Sequence, residues 1–243
     1  MKILVTGSTG QLGSSLKKTF SKLSFLKDLE IKFTNRAELD LSNLRSCEKF
    51  IGSYKPDWLI NTAAYTSVDK AEKEKDLAQL VNCDAPIIIA ESLNKYGGKF
   101  LQISTDFVFS GKQNFPYSAE QETNPINIYG QTKAQAEASL IKILGKKAYI
   151  LRTSWLYSHT GNNFLTNILR LLRTRDLEGK NLDIVSDQIG CPTNTQDLSL
   201  VISKIIEKSR SNLPNIMQWR DAGIASWYDF SVAIGEIGLE QNL

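Results

Sequence analysis

The chain has 243 residues, 42% apolar and 23% charged, with a net charge of +3, the balance of a soluble globular protein of one large domain or one and a half. So small a charge gives no reason to invoke nucleic acid or an anionic membrane surface, and no run reaches bilayer-spanning length. Cys47, Cys83 and Cys191 are odd in number and far apart, matching neither a disulfide framework nor a metal spacing, so a reducing cytoplasm is the expected compartment.

Residues 3–5 form a short apolar run, too short for a signal peptide, that reads as a buried strand. It ends in Gly7-Ser8-Thr9-Gly10-Gln11-Leu12-Gly13, and a helix follows with Leu12, Leu16 and Phe20 on one face. Strand, glycine turn and helix N-terminus bring backbone N–H groups and the positive end of a helix dipole to one point, which is a pyrophosphate site. The G-x-x-G-x-x-G spacing by itself also suits an ordinary tight turn; its place between strand and helix favours a dinucleotide.

The next run, 31–34, leads into Asn35-Arg36-Ala37-Glu38-Leu39-Asp40. An acidic residue at this point binds ribose hydroxyls, whereas an arginine accommodates a 2′-phosphate. Asn35 carries no charge to repel phosphate and Arg36 can reach it, so NADPH is the expected cofactor. Glu38 and Asp40, as ribose or adenine contacts, leave NADH open, and Arg36 can also be read as a solvated loop charge.

Beyond this, helical periodicity at 44–54, 77–96 and 132–144 alternates with strand-like runs at 58–60, 100–103, 149–151 and 182–185. Such alternation implies an α/β fold, a Rossmann-like doubly wound parallel sheet covered on both faces. The irregular stretch 107–128, with Gly111, Pro116 and Pro125, is long enough to be functional. After about residue 153 the pattern loosens, and the polar loops 158–163 and 188–194 imply a smaller lobe closing over the sheet edge. The expected division is a dinucleotide-binding domain over 1–153. Residues 154–243 would then be mostly a substrate lobe, with segments returning to the sheet.

Ser104-Thr105-Asp106 closes a strand, and Tyr129-Gly130-Gln131-Thr132-Lys133 sits at the start of a helix. Tyr129 and Lys133, four apart, share a helix face. A free phenol is a poor acid at neutral pH, and a nearby ammonium is expected to lower its pKa. Thr105, at the carboxyl edge of the sheet, can donate to a substrate carbonyl. These groups make a hydride-transfer site in which the cofactor reduces carbon and Tyr129 protonates oxygen. Read without its neighbours, the Tyr-x-x-x-Lys pair also suits a packed aromatic beside a solvated lysine.

Several longer stretches accompany these motifs: Val68-Asp69-Lys70-Ala71-Glu72, Ser104 to Phe109, Asn127 to Lys133, Leu151-Arg152-Thr153-Ser154-Trp155, Asp187-Gln188-Ile189-Gly190-Cys191-Pro192-Thr193 and Ser226-Trp227-Tyr228-Asp229-Phe230. With them the chain resembles, nearly end to end, the extended short-chain dehydrogenase/reductases and, among these, the dTDP-4-dehydrorhamnose reductase family. The resemblance implies reduction of a dTDP-4-keto sugar by NADPH, in dTDP-rhamnose and polysaccharide synthesis, with Thr105, Tyr129 and Lys133 as catalytic triad. It implies that Gly10, Gln11 and Leu12 hold the pyrophosphate and that Asp40 and Leu41 border the adenine. Ala63, Ala64, Tyr65 and Thr66 would line the path to the nicotinamide ribose, Tyr129 and Lys133 would also contact the cofactor, the lysine at that ribose, and Thr105, Asp106 and Trp155 would touch the sugar nucleotide. An indole beside a sugar is a flat apolar wall with one donor, although a core tryptophan is the plain alternative.

Where some relatives carry a glutamate that helps bind magnesium at a dimer interface, this chain has Ser14 and Ser15, so no metal is expected. Leu243 falls short of the family's usual length, so the C-terminal lobe is expected to be partly truncated. The protein is expected to be a monomer or homodimer. A non-catalytic NADP-binding regulatory subunit and a sugar-nucleotide epimerase are the competing readings.

Overall fold

Alternating side chains commit the first strand to two cores at once. β1 (Lys2–Thr6) sends Ile3 and Val5 to one face and Leu4 to the other, all fully buried. A strand apolar on both faces belongs inside a parallel sheet. The computed structural model of the chain, which describes residues 1–178, 181–208 and 212–241, places it there.

In chain order, β1 is followed by α1 (Gln11–Phe20), β2 (Glu30–Thr34), α2 (Leu44–Tyr54), β3 (Trp58–Asn61) and a short α3 (Val68–Ala71). Next, α4 (Lys75–Gln79) runs through a π-turn at Leu80–Asp84 into α5 (Ala85–Asn94), then β4 (Lys99–Thr105), α6 (Ile128–Leu144) and β5 (Ala148–Thr153). The remainder is β6 (Leu156–Tyr157), α7 (Phe164–Glu178), β7 (Ile189–Gly190), β8 (Thr193–Asn194), α8 (Thr195–Glu207), β9 (Ile216–Gln218), β10 (Ala225–Ser226) and α9 (Trp227–Glu240).

The main sheet has the order β2-β1-β3-β4-β5-β9, with every pairing parallel. From β1 the chain steps outward to β2, then crosses to β3 on the other side. The carboxyl ends of β1 and β3 therefore flank a topological switch point, where ligands of open α/β sheets bind.

On one face Ile3, Val5, Trp58, Ile60 and Leu101 pack with Leu12 and Leu16 of α1 and Leu198 and Ile202 of α8. On the other, Leu4, Leu59, Phe100 and Ile150 pack with Ile51 of α2, Ile89 and Leu93 of α5, and Leu140 and Leu144 of α6. The catalytic-motif helix α6 is thereby clamped against the sheet along its length.

Three expectations about elements need adjusting. The helix expected from 132 begins at Ile128, because the Asn127 side chain accepts a hydrogen bond from Gly130 N (2.7 Å) and caps it early. The helix expected over 77–96 starts at Lys75 and contains the π-turn. The strand expected at 182–185 is not one: among the described residues the run pairs with no strand, and Tyr228 N donates to Val185 O (3.1 Å). After residue 153, two segments return to the sheet: β9 pairs with β5, and α8 packs on α1, where Ser15 Oγ donates to Thr195 Oγ1 (2.7 Å).

Candidate active site

The glycine turn joins β1 to α1. Gly7 adopts φ +72°, and a Cβ there would stand 2.8 Å from Ala63 N, against the loop that follows β3. At Gly13 a Cβ would stand 2.2 Å from the Gly7 carbonyl oxygen, so helix and turn approach more closely than any side chain permits. Gly10 N donates to Gly7 O (3.0 Å), and Gly10 is the extended N-cap of α1, with no side chain capping the helix and no acidic residue in its first turn. The positive end of α1 is thus left for an anion from outside. Gln11 is partly exposed, while the Leu12 side chain is buried in the core, so Leu12 has only its backbone to offer. Gly13→Ala is expected to cost about 3 kcal/mol through overpacking against backbone, a fall in Tm of roughly 10 °C for a chain of this size; a calorimetric scan checks it.

At the end of β2, Asn35 Oδ1 accepts from Ala37 N (2.8 Å) and Glu38 N (3.2 Å), folding the chain into a turn. Arg36 projects from that turn, 77% exposed, and pairs with Asp40 at 3.4 Å. The Ser42 amide, then the Ser42 hydroxyl and Arg36, hold Asp40 below the ordinary carboxylate value against an opposing cost of burial. An exposed pair of this kind contributes little to stability, and Arg36 can leave it. Leu41 is a core residue, so its side chain faces away from solvent.

A buried polar chain runs across the carboxyl ends of the central strands. Thr6 Oγ1 donates to Asn61 Oδ1 (2.6 Å), Asn61 Nδ2 to Gln102 Oε1 (2.8 Å), and Gln102 Nε2 to Ile103 O (2.8 Å). Lys133 Nζ ends it, donating to the same Ile103 carbonyl at 2.7 Å. The strap after β3 that carries Ala63, Ala64, Tyr65 and Thr66 is held by Asn82, in the π-turn. Tyr65 N donates to Asn82 Oδ1 (2.8 Å), and Asn82 Nδ2 donates to Tyr65 O (3.0 Å) and to Thr132 Oγ1 (3.2 Å) on α6.

Thr105, Tyr129 and Lys133 come together at the junction of β4 and α6. The Tyr129 phenol lies near the Thr105 hydroxyl, and its ring meets Phe107 edge-on at 5.7 Å. Thr105 Oγ1 donates to Asp106 Oδ1 (3.1 Å) and accepts from Phe107 N (3.2 Å). Thr153, paired with Thr105 across the sheet, buries a hydroxyl that has no partner among the described residues.

The electrostatics correct one expectation. Burial pushes the Tyr129 phenol up to about 12, with the Thr105 hydroxyl opposing it and the Asp106 charge adding to it. The Lys133 ammonium does not lower it, because that ammonium is directed at the Ile103 carbonyl. Burial brings Lys133 down to about 8, against an upward pull from Glu137, and raises Asp106 to about 6.

Trp155 lies beyond the end of β5 in the left-handed region, φ +45°. One face of its indole lies on Trp227, with ring centroids 3.4 Å apart and planes 4° from parallel. The other meets Gly190, where a Cβ would stand 2.3 Å from the ring. The flat wall expected for a sugar is covered on both sides in this structure, leaving the edge of the ring. The loop 158–163 reaches the glycine turn, where Ser158 Oγ donates to Gln11 Oε1 (3.2 Å). Ser14 Oγ donates to Ser8 O (3.2 Å), and among the described residues no group of three or more His, Cys, Asp or Glu side chains is arranged to hold a metal.

A family model described as RmlD substrate binding domain matches residues 1–240. The chain belongs to this family. It is 39% identical to the spore coat polysaccharide biosynthesis protein SpsK of Bacillus subtilis, over 98% of this chain and 80% of that one. It is 37% identical to the dTDP-4-dehydrorhamnose reductase of Aggregatibacter actinomycetemcomitans, over 100% of this chain and 81% of that one. The crystal structure of the Bacillus anthracis dTDP-4-dehydrorhamnose reductase in complex with NADP superposes with a TM-score of 0.88 at 34% identity, over 98% of this chain and 81% of that one.

Within this RmlD-family site, the sequence reading passed over Asn61, Asn82, Gln102 and Glu137. Each is a polar or charged side chain buried to 3% exposure or less, Asn61 and Gln102 next to apolar residues of their strands. That mismatch between residue type and setting was the signal available.

Proposed function

We propose that this chain is an NADPH-dependent reductase that converts the 4-keto group of dTDP-4-dehydro-L-rhamnose to the alcohol, with Tyr129 as proton donor. The observation that carries the reading is the convergence of Thr105 and Tyr129 on Phe107 where β4 ends, where Phe107 N donates to Thr105 Oγ1 (3.2 Å) and its ring meets Tyr129 (5.7 Å), with Lys133 one helical turn further on and buried against Ile103 O. The names of the relatives, and the NADP held by the Bacillus anthracis enzyme, support the same substrate and cofactor.

The residues present fit the cofactor. Gly7, Gly10 and Gly13 keep the turn free of side chains, and the backbone of Gln11 and Leu12 at the uncapped end of α1 would hold the pyrophosphate. Arg36, exposed at the β2 end, would pair with a 2′-phosphate, with Asn35 beside it and Asp40 and the Leu41 backbone bordering the adenine. Ala63, Ala64, Tyr65 and Thr66 would line the ribose path. When bound, NADPH supplies the hydride that the keto carbon accepts. Thr105 turns its hydroxyl to the ketone oxygen, Tyr129 donates its proton to that oxygen, and Lys133 swings from Ile103 O to a ribose hydroxyl. Asp106 and the edge of Trp155 would border the sugar.

The test is loss of 340-nm absorbance when dTDP-4-dehydro-L-rhamnose is added with NADPH. Cofactor binding without turnover, unaltered by Tyr129→Phe, would favour a non-catalytic NADP-binding subunit. Arg36→Ala is expected to weaken NADPH binding by about tenfold, the loss of one charge-assisted phosphate contact, and to leave NADH affinity unchanged. Equal weakening of both, measured by fluorescence titration, would remove Arg36 from the phosphate.

A further inference from the structure

Beneath the proposed catalytic groups lies an ion pair that no step uses. Glu137 and Arg152 are both 3% exposed. Arg152 Nη2 donates to Glu137 Oε2 at 2.6 Å, and Nε donates to both carboxylate oxygens at 3.1 Å. Ser104 Oγ donates to Glu137 Oε1 in a short hydrogen bond. Arg152 Nη1 donates to Ala119 O (3.2 Å) in the long loop, and its guanidinium lies 5.0 Å from the centre of the Phe109 ring.

Position gives the pair its meaning. Glu137 follows Lys133 by one helical turn on α6, so the two share a face. Ser104 precedes Thr105 on β4, and Arg152 is the sheet partner of Ser104, as Thr153 is of Thr105. One carboxylate thus ties α6, β4 and β5 together directly below the triad, and its guanidinium partner adds the loop that follows Thr105.

Stability does not explain the arrangement. Removing two charges from water costs several kcal/mol per ion, and apolar residues of similar volume in place of a buried pair are often as stable or more so. What an apolar replacement lacks is direction: fork-on-carboxylate bonds fix both distance and angle. We infer that Glu137 and Arg152 are positioning residues, which set the height of α6 against β4 and so deliver Lys133 and Thr105 to the reacting groups. This rests on the reductase reading for its effect on rate, though not for its effect on cofactor affinity.

The test is the full chain carrying Glu137→Leu with Arg152→Met. A fold of parental Tm or higher, with kcat lowered about 10- to 100-fold by misplacement and NADPH affinity weakened by about threefold or more as Lys133 shifts, is the expected result. A folded variant with parental kcat and parental NADPH affinity overturns the inference. Should the double variant fail to fold, Ser104→Ala decides, since it leaves the ion pair and cuts only the tie to β4. A kcat about tenfold lower at unchanged Tm supports the inference, and a parental kcat overturns it. If the unaltered protein itself does not turn over the sugar, the reductase reading fails. NADPH affinity of whichever variant folds then judges the positioning role: weakened affinity upholds it and parental affinity overturns it.

Discussion

Replacing Tyr129 by Phe is expected to lower kcat by about 10²- to 10⁴-fold, the usual contribution of one positioned proton donor. The substitution removes an oxygen and little else. The ring keeps its edge contact with Phe107, and Thr105 keeps its bonds to Asp106 and Phe107. NADPH affinity should therefore barely change, because the other expected cofactor contacts, Lys133 among them, are left in place. Burial holds the phenol at about 12 in the protein without cofactor, so it is protonated throughout any practical assay range. That is the form a reduction requires: the group must give a proton, and a phenolate could not. A steady-state rate within about tenfold of the parent would take Tyr129 out of the donor role.

Lys133→Met should damage cofactor binding as well as rate. One charge-assisted hydrogen bond lost corresponds to about 1.5–3 kcal/mol, or roughly 10- to 100-fold in affinity. The pH dependence makes the prediction sharper. Burial brings Lys133 from 10.5 to about 8, so its ammonium is present below that pH and is lost above it. NADPH affinity of the parent should fall as pH rises through 8, while that of Lys133→Met should not change across the same interval. The stability of the protein without cofactor should respond in the opposite sense. Between pH 8 and 10.5 the unfolded chain still binds the proton that the folded chain has released, so this group adds stability as pH rises. Fluorescence titrations and thermal scans of both proteins between pH 7 and 10 check the two trends. If NADPH affinity of Lys133→Met also fell through pH 8, another group would be responsible.

What could be read from the sequence was what local pattern determines. The runs at 58–60 and 149–151 are strands because apolar residues continue without interruption, and the sheet buries both of their faces, as it does at 100–103 around the buried Gln102; the edge run 31–34 instead alternates partly buried Ile31 and Phe33 with exposed Lys32. The glycine turn was legible because its spacing leaves no room for side chains: a Cβ at Gly13 would stand 2.2 Å from the Gly7 carbonyl oxygen. The run at 182–185 misled, since its apolar alternation finds no neighbouring strand among the described residues, and β9 went unnoticed because Ile216–Gln218 is three residues long and only partly buried. Within the site, spacing placed Tyr129 and Lys133 on one helix face. It could not say that Lys133 would point at the Ile103 carbonyl, because that depends on where β4 ends relative to α6. Burial of the phenol, which raises its pKa, is likewise a property of the packed structure. Arg152 within the apolar run of β5 was a signal of a different kind, for a lone charge in a buried strand implies a partner elsewhere, and that partner proved to be Glu137.

The order of strands in the main sheet carries a kinetic consequence. No two neighbours form a hairpin: Ile3 pairs with Ile31 and with Trp58, Phe100 with Ala148, and Ile150 with Ile216. Every ladder closes over a long intervening segment, and the loop entropy is lost before the contact repays it. The chain should therefore refold slowly, and partly assembled sheets with bare apolar edges should associate with one another at high protein concentration.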